Sequence, residues 1–318
     1  MPAHDGSAIA ARNLTRRFGA FIAVNGIDLD VQRGEVFGLL GANGAGKTTA
    51  IRMLCGTLAP TLGSISVAGV DMVANARRAR GRIGYVTQRF TLYGDLGVLE
   101  NLELQAGLYG VVGARRAARV QWALERFDLR EVAAERAVRL PLGFQRRLAV
   151  AAALLHEPDV LFLDEPTSGI DPLARQQLWE LVYELADAGV GVLVTTHYMD
   201  EALFCDRLAL MDRGLVISSG TPQALLQHPL DAPIVQLRTT DDARCAAWLA
   251  SDADVHEVMP RAGRLRVRLR QGVAPQGFLA RIVAAGSLRG LGIRADPHAE
   301  IELEDVFVAL LESRETTQ

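Results

Sequence analysis

Five short apolar runs recur along the first two-thirds of the chain, and each stops at polar or turn-forming residues. They are Glu35–Leu40, Val160–Leu163, Val190–Thr195, Leu208–Met211 and Leu215–Ser218. Continuous rather than alternating hydrophobicity over four to six residues is the pattern of strands buried on both faces. Between them lie stretches of helical character: Lys47–Leu54, Val120–Phe127, Arg146–Leu155, Pro172–Leu185 and Asp200–Leu203. Buried strands alternating with helices predict an α/β domain around a largely parallel sheet.

The texture changes after Gly220-Thr221-Pro222 and the prolines at 229 and 233. Strands are expected at Ile234–Arg238, Val255–Met259 and Leu265–Leu269, the last two flanking a hairpin turn at Arg261-Ala-Gly263. Helices are expected at Asp242–Leu249, Phe278–Ala284 and Leu303–Leu311. The predicted organisation is therefore an α/β domain over residues 1–228, with a helical subdomain at about 90–155, followed by a small α+β domain over 232–318.

Composition narrows the class. Of the 318 residues, 49% are hydrophobic, which supplies a large core and excludes a disordered chain. The formal net charge of −3 argues against nucleic acid as a partner. No apolar run approaches the ~20 residues that span a bilayer, and Met1–Ala10 lacks the pattern of a signal peptide. Cys55, Cys205 and Cys245 are far apart and unpaired in pattern, which fits reduced thiols. Of the 34 basic residues, 33 are arginine and one is lysine, Lys47. Arginine cannot replace lysine where a compact ammonium must fit between phosphates, so Lys47 stands out as a site residue.

Lys47 closes the sequence Gly41-Ala42-Asn43-Gly44-Ala45-Gly46-Lys47-Thr48-Thr49, which fits G-x-x-x-x-G-K-[ST] between a predicted strand and a predicted helix. Glycines let backbone N–H groups turn around phosphate oxygens, and the helix amino terminus adds a positive dipole. Lys47 is placed for the β- and γ-phosphates, and the Thr48 hydroxyl for Mg²⁺. Asp164 ends the second apolar run, where a carboxylate can hold Mg²⁺. Glu165 follows, where a carboxylate can activate water. A helix starting at Pro166 with these acids as its cap is the competing reading.

The order of further motifs resembles the nucleotide-binding subunits of ATP-binding cassette transporters. After the phosphate loop come Gln88 in Tyr-Val-Thr-Gln, Leu140-Pro-Leu-Gly-Phe-Gln-Arg-Arg-Leu148, Leu163-Asp-Glu-Pro166, Ser168-Gly-Ile-Asp171 and Thr196-His-Tyr-Met-Asp200. The match covers about Ile9 to Leu226 and looks most like cassettes of drug and lipid exporters of the daunorubicin-resistance type. The segment ending Glu302-Leu-Glu-Asp-Val-Phe307 is similar to the tail those cassettes carry. The resemblance implies a P-loop NTPase fold with a RecA-like core, ATP and Mg²⁺ as cofactors, and Mg-dependent ATP hydrolysis in a head-to-tail dimer. It implies a separate membrane permease, with this chain on the cytoplasmic side at the inner face of the membrane. By the same resemblance Phe18 stacks on adenine, Gln88 touches Mg²⁺ or the attacking water, His197 contacts the γ-phosphate, and Asp171 lies across the dimer interface. Residues of about Phe90 to Gly113 form the groove for a permease helix. An importer subunit and a degenerate regulatory cassette are the alternatives.

One motif departs from the family. Where its signature usually reads Leu-Ser-Gly-Gly-Gln, this chain has Leu140-Pro141-Leu142-Gly143-Phe144. Pro141 offers neither hydroxyl nor N–H. Gly143 keeps one backbone donor toward the nucleotide of the other subunit. A homodimer carries the altered signature at both sites and a heterodimer at one only, so a heterodimer is the expectation. Arg264-Leu-Arg-Val-Arg-Leu-Arg270 alternates strictly, and its arginine face is expected to be solvated. Arg77–Arg82 is expected to form a wet helix face, and Trp122, Trp179 and Trp248 to serve the core.

Overall fold

The computed structural model describes residues 6–230, 232–261, 263–296 and 301–315. Residues 1–5, within the stretch read as lacking a signal peptide, lie outside the described residues, as do Ala262 of the predicted hairpin turn and the last three residues of the predicted second domain. The chain divides into two units, Met1–Pro222 and Gln223–Gln318.

In the first unit the apolar runs, joined by Ile83–Val86, form one six-stranded sheet. Its order is Leu215–Gly220, Arg207–Asp212, Val36–Leu40, Gly191–Thr196, Val160–Asp164, Ile83–Val86. All neighbours are parallel except the Leu215–Gly220 edge. Every residue of Val36–Leu40, Val160–Asp164 and Gly191–Thr196 is buried, as expected for strands covered on both faces. The parallel register pairs Leu40 with Thr196 and Asp164 with Thr195. Whatever follows these strands therefore emerges at one edge of the sheet: the phosphate loop, Glu165 and His197.

A second, antiparallel sheet of Phe21–Gln32, Ser7–Phe18, Leu62–Val67 and Val70–Asp71 was not foreseen from the sequence. Polar residues interrupt its strands, and Ser7–Phe18 carries several irregularities of register against Phe21–Gln32, so no clean period-2 pattern results. The helical region consists of Val98–Leu108, Gly113–Arg126 and Leu142–Leu154. Fully buried Asn101 fixes the loop before it: its amide donates to the carbonyls of Tyr93 and Gly97 at 2.9 and 3.0 Å and accepts from Tyr93 N–H at 2.9 Å. Pro166 does not begin a helix. The next helix is Pro172–Asp187, capped by Asp171, which accepts from the Ala174 N–H at 3.0 Å. Arg77, Arg78 and Arg80 are exposed as expected, but Arg82 lies beyond the helix, half-buried and donating to Asp159 at 2.7 Å; Trp179 is buried, while Trp122 and Trp248 are half-buried against their cores.

The second unit has a four-stranded antiparallel sheet ordered Val255–Arg261, Arg264–Leu269, Ile234–Arg238, Arg294–Asp296. Leu265, Val267 and Leu269 join a core with Cys245, Leu249, Phe278 and Ile282 from the helices Asp242–Leu249 and Pro275–Leu288. The expected solvated arginine face is corrected in part: Arg264 and Arg270 are exposed as expected, but the two arginines between them are not. Arg266 and Arg268 are buried, at 2% and 5% exposure. The last helix, Leu303–Glu315, and the residue before it supply their partners: Arg266 donates to Glu302 at 2.8 Å and to Asp305, and Arg268 grips both oxygens of Glu312, one of them at 2.8 Å. Alternation correctly separated the two faces of the strand, but the arginine face is roofed by a helix.

Candidate functional site: a phosphate loop and two acids at one sheet edge

The loop Gly41–Gly46 links the buried strand Val36–Leu40 to the helix Lys47–Leu54. Gly41 and Gly46 are both closely packed, and Gly46 takes φ 107°. A Cβ there would lie 2.5 Å from the Ala23 carbonyl oxygen, so no other residue fits this turn. Lys47 follows with only 4% of its surface exposed, and its Nζ donates to the carbonyls of Gly41 at 2.7 Å and Ala42 at 3.1 Å. Burial lowers its pKa, opposed by the charges of Glu165 and Asp164.

The two acids sit beside this ammonium. Asp164 is buried at the end of its strand and accepts from the hydroxyls of Thr195 at 2.7 Å and Thr48 at 3.3 Å. Burial raises its pKa, and the two hydroxyl hydrogen bonds oppose that rise. Glu165 takes the left-handed backbone conformation, φ 49°, which is uncommon for a side-chain-bearing residue and concentrates at functional sites. Its N–H donates to both the carbonyl and the hydroxyl of Thr195, each at 3.1 Å. The turn aims the carboxylate at three other groups. Gln88 Nε2 donates to Glu165 Oε2 at 2.8 Å, His197 Nδ1 lies 3.4 Å from the same oxygen, and Lys47 Nζ lies 3.9 Å from Oε1.

These groups face one open cavity of about 650 Å³. Of the residues predicted from sequence, Asn43, Gly44, Gly46, Lys47, Thr48, Thr49, Gln88, Glu165 and His197 line it. Gly41 and Ala45 form the loop's inner side, where Ala45 N–H donates to the Ala42 carbonyl at 3.1 Å. Asp164 lies beneath Thr48. Three predicted residues lie elsewhere. Gly143 is in the first turn of Leu142–Leu154, and Asp171 is exposed as a helix cap. Phe18 is half exposed with the Arg16 guanidinium 4.5 Å over its ring; its hairpin partner Phe21 is the aromatic on the cavity wall. Phe21, Ala23 and Ser168 also line the site and were given no role from the sequence; the proximity of Phe21 to Phe18 and the place of Ser168 at the head of Ser168-Gly-Ile-Asp171 were the available signals.

A buried lysine in a glycine-rich loop before a helix, with two successive acids and a histidine at the neighbouring strand ends, defines a nucleoside-triphosphatase of the P-loop class. Residues 24–168 match the family described as ABC transporter. The chain is 48% identical over 219 residues to the probable multidrug ABC transporter ATP-binding protein YbhF of Escherichia coli (strain K12), which covers 69% of this chain and 38% of that protein. It is 38% identical over 300 residues to the Nod factor export ATP-binding protein I of Burkholderia lata, covering 94% of this chain and 95% of that one. Among solved structures, the dimeric post-hydrolysis state of the ATP-binding cassette MJ0796 bound to ADP and Pi aligns with a TM-score of 0.62 at 26% identity, covering 67% of this chain and 98% of that one. The cbiO1 protein from Clostridium perfringens aligns at 0.64 and 28%, covering 70% and 92%. The chain belongs to the ATP-binding cassette transporter family, and its first unit is an ATPase cassette. It spans less than two-fifths of the length of YbhF. Among the described residues no helix is long and apolar enough to cross a membrane.

Proposed function

We propose that this chain binds and hydrolyses Mg-ATP through the site at the sheet edge and, paired with a second cassette, drives a separate exporter permease. The carrying observation is the convergence of Lys47, Gln88 and His197 on Glu165, with Asp164 and Thr48 beside it. Backbone N–H groups of Gly44–Thr49 and the Lys47 ammonium bind the phosphates. Phe21 on the cavity wall supplies aromatic surface for adenine, with Phe18 beside it on the hairpin. The Thr48 hydroxyl and Asp164 carboxylate, 3.3 Å apart, are hard oxygen donors of the kind Mg²⁺ takes in ones and twos, with phosphates and water completing its shell. Gln88 belongs to the same set. Mg²⁺, when bound, neutralises charge on the β- and γ-phosphates. Glu165 accepts the proton of the attacking water, Gln88 and His197 hold its carboxylate in place, and His197 faces the γ-phosphate. The names of the exporter relatives, the multidrug protein YbhF and the Nod factor export protein I, support the export direction.

The exposed apolar residues Leu104, Leu108, Tyr109 and Val112 at the end of the first helical segment fit the surface that meets the permease, which would bring the chain to the inner face of the membrane. The test is phosphate release by the chain assembled with its permease. Turnover that needs Mg²⁺ and ATP supports the reading, and ATP binding without any Mg-dependent release overturns it.

The altered signature carries the partner proposal, a second and different cassette. Pro141 is the N-cap of Leu142–Leu154, a position that donates no intrahelical hydrogen bond, so the helix forms without its N–H. The lost element is the hydroxyl. A hydrogen bond to a charged group is worth about 1.5–3 kcal/mol, roughly 10–200-fold in rate if expressed in the transition state. Pro141→Ser restores it and adds a favoured cap. In a homodimer this raises hydrolysis by about tenfold or more. In a heterodimer the Glu165 site faces the other chain's signature, and its rate changes by less than about twofold. Steady-state turnover of the two preparations decides between them.

A further inference from the structure

Arg146 stands one turn into the signature helix Leu142–Leu154, within the signature motif but given no role by it. Its Nη1 donates to the Thr87 carbonyl at 2.9 Å and its Nη2 to the Gln88 carbonyl. A guanidinium fork thus holds two successive carbonyls of the loop that bears Gln88, whose side chain in turn donates to Glu165 Oε2 at 2.8 Å. The third nitrogen, Nε, is buried without a hydrogen-bond partner. Burial lowers the Arg146 pKa while the charge of Glu165 raises it, and an arginine stays ionised under such opposition. Behind the fork a cavity of about 220 Å³ separates Gly143, Arg146 and Val150 from Pro166, Ile170 and Ala174. The helix is therefore tied to the loop by polar contacts on one side and loosely packed on the other. Rigid hydrogen bonds transmit a shift, whereas a cavity absorbs one.

We propose that Arg146 is a positioning residue that couples the signature helix to the Gln88 loop, so that what meets Pro141–Phe144 across the dimer sets the alignment of Gln88 and Glu165 in this chain. The proposal rests on the hydrolytic, paired-cassette reading. It makes the two nucleotide sites communicate through one side chain. Arg146 does not line the cavity at the phosphate loop; it acts through Gln88.

The experiment has two arms on the full-length chain. In the first, hydrogen exchange of residues 83–91 is compared between the parent and Arg146→Ala without nucleotide. The two carbonyl contacts hold the loop on its strand, so their loss accelerates exchange of the paired Ile83–Val86 amides at its root by about tenfold, and unchanged exchange there overturns the proposal. In the second, ATP turnover of the assembled complex is measured. Arg146→Ala lowers kcat by about tenfold while the KM for ATP moves less than about twofold. Arg146→Lys, which can hold one carbonyl, recovers part of the rate. In a Gln88→Ala background the Arg146→Ala loss shrinks, because the two act in series. A kcat within about twofold of the parent, or losses that simply multiply, overturns the proposal. Should Arg146→Ala lose the parent's thermal transition, Arg146→Lys carries both comparisons. A parent whose turnover ignores Glu165→Gln would instead overturn the functional reading, and the exchange arm still decides on Arg146.

Discussion

Glu165→Gln lowers ATP turnover by about a thousandfold and leaves ATP affinity nearly unchanged. The substitution is isosteric, and the backbone strain at φ 49° is the same for both residues. A glutamine at 165 still accepts from Gln88, and Lys47 keeps its two carbonyl partners, so the loop retains its shape. The lost property is the basic lone pair that takes the water's proton. Nucleotide then stays intact between two competent cassettes, and the closed pair accumulates only where both signatures suffice. Light scattering with and without Mg-ATP reads this directly. A shift from monomer to dimer for the purified variant means that a signature with Pro141 suffices at both sites. A chain that binds ATP and remains monomeric points to a different cassette as partner, the outcome expected from the missing hydroxyl. Turnover in the variant equal to that of the parent would remove Glu165 from the role of base.

The second large effect lies in the carboxyl-terminal unit. Arg266→Ala destabilises that unit by about 3–5 kcal/mol, because Asp305 is left as a buried carboxylate without its guanidinium partner. For a unit of this size the thermal transition falls by more than about 10 °C. Hydrogen exchange over Ile234–Arg238 and Arg264–Leu269 accelerates, while the six-stranded sheet of the cassette keeps its protection. Replacing both partners, as in Arg266→Met with Asp305→Leu, costs far less than the single change, since no charge is then stranded. Equal loss in the single and the double variant would mean that helix packing, and not the ion pairs, holds Leu303–Glu315 on the sheet.

The contrast between these two regions explains what the sequence made legible. The nucleotide site is assembled from short local motifs, each at the end of a buried parallel strand. Finding the strands was enough to place Gly46, Lys47, Glu165 and His197 at one edge, because parallel register leaves them nowhere else to go. Phe18 and Phe21 are three residues apart on one hairpin, and which ring faces the cavity depends on hairpin irregularities that no residue pattern encodes. For Arg266 and Arg268, alternation gives the face of the strand but not its cover. The complementary signal was the set of acids at 302, 305 and 312, just before and along the last helix, which pair with Arg266 and Arg268. Arg146 was hidden for a different reason. Its partners are backbone carbonyls, which leave no trace in residue identity.

The lone lysine has a consequence for protein chemistry. All other basic side chains are arginine, so this chain owns a single ε-amine, and that amine is buried in the phosphate loop. Lysine-directed acylation, conjugation or crosslinking finds no side-chain target on its surface, and proteolysis at basic residues outside the loop is cleavage after arginine alone. Modification of that ε-amine in the folded chain requires entry where the phosphates bind. An amine-selective reagent thus becomes a footprint of nucleotide occupancy, read at one residue.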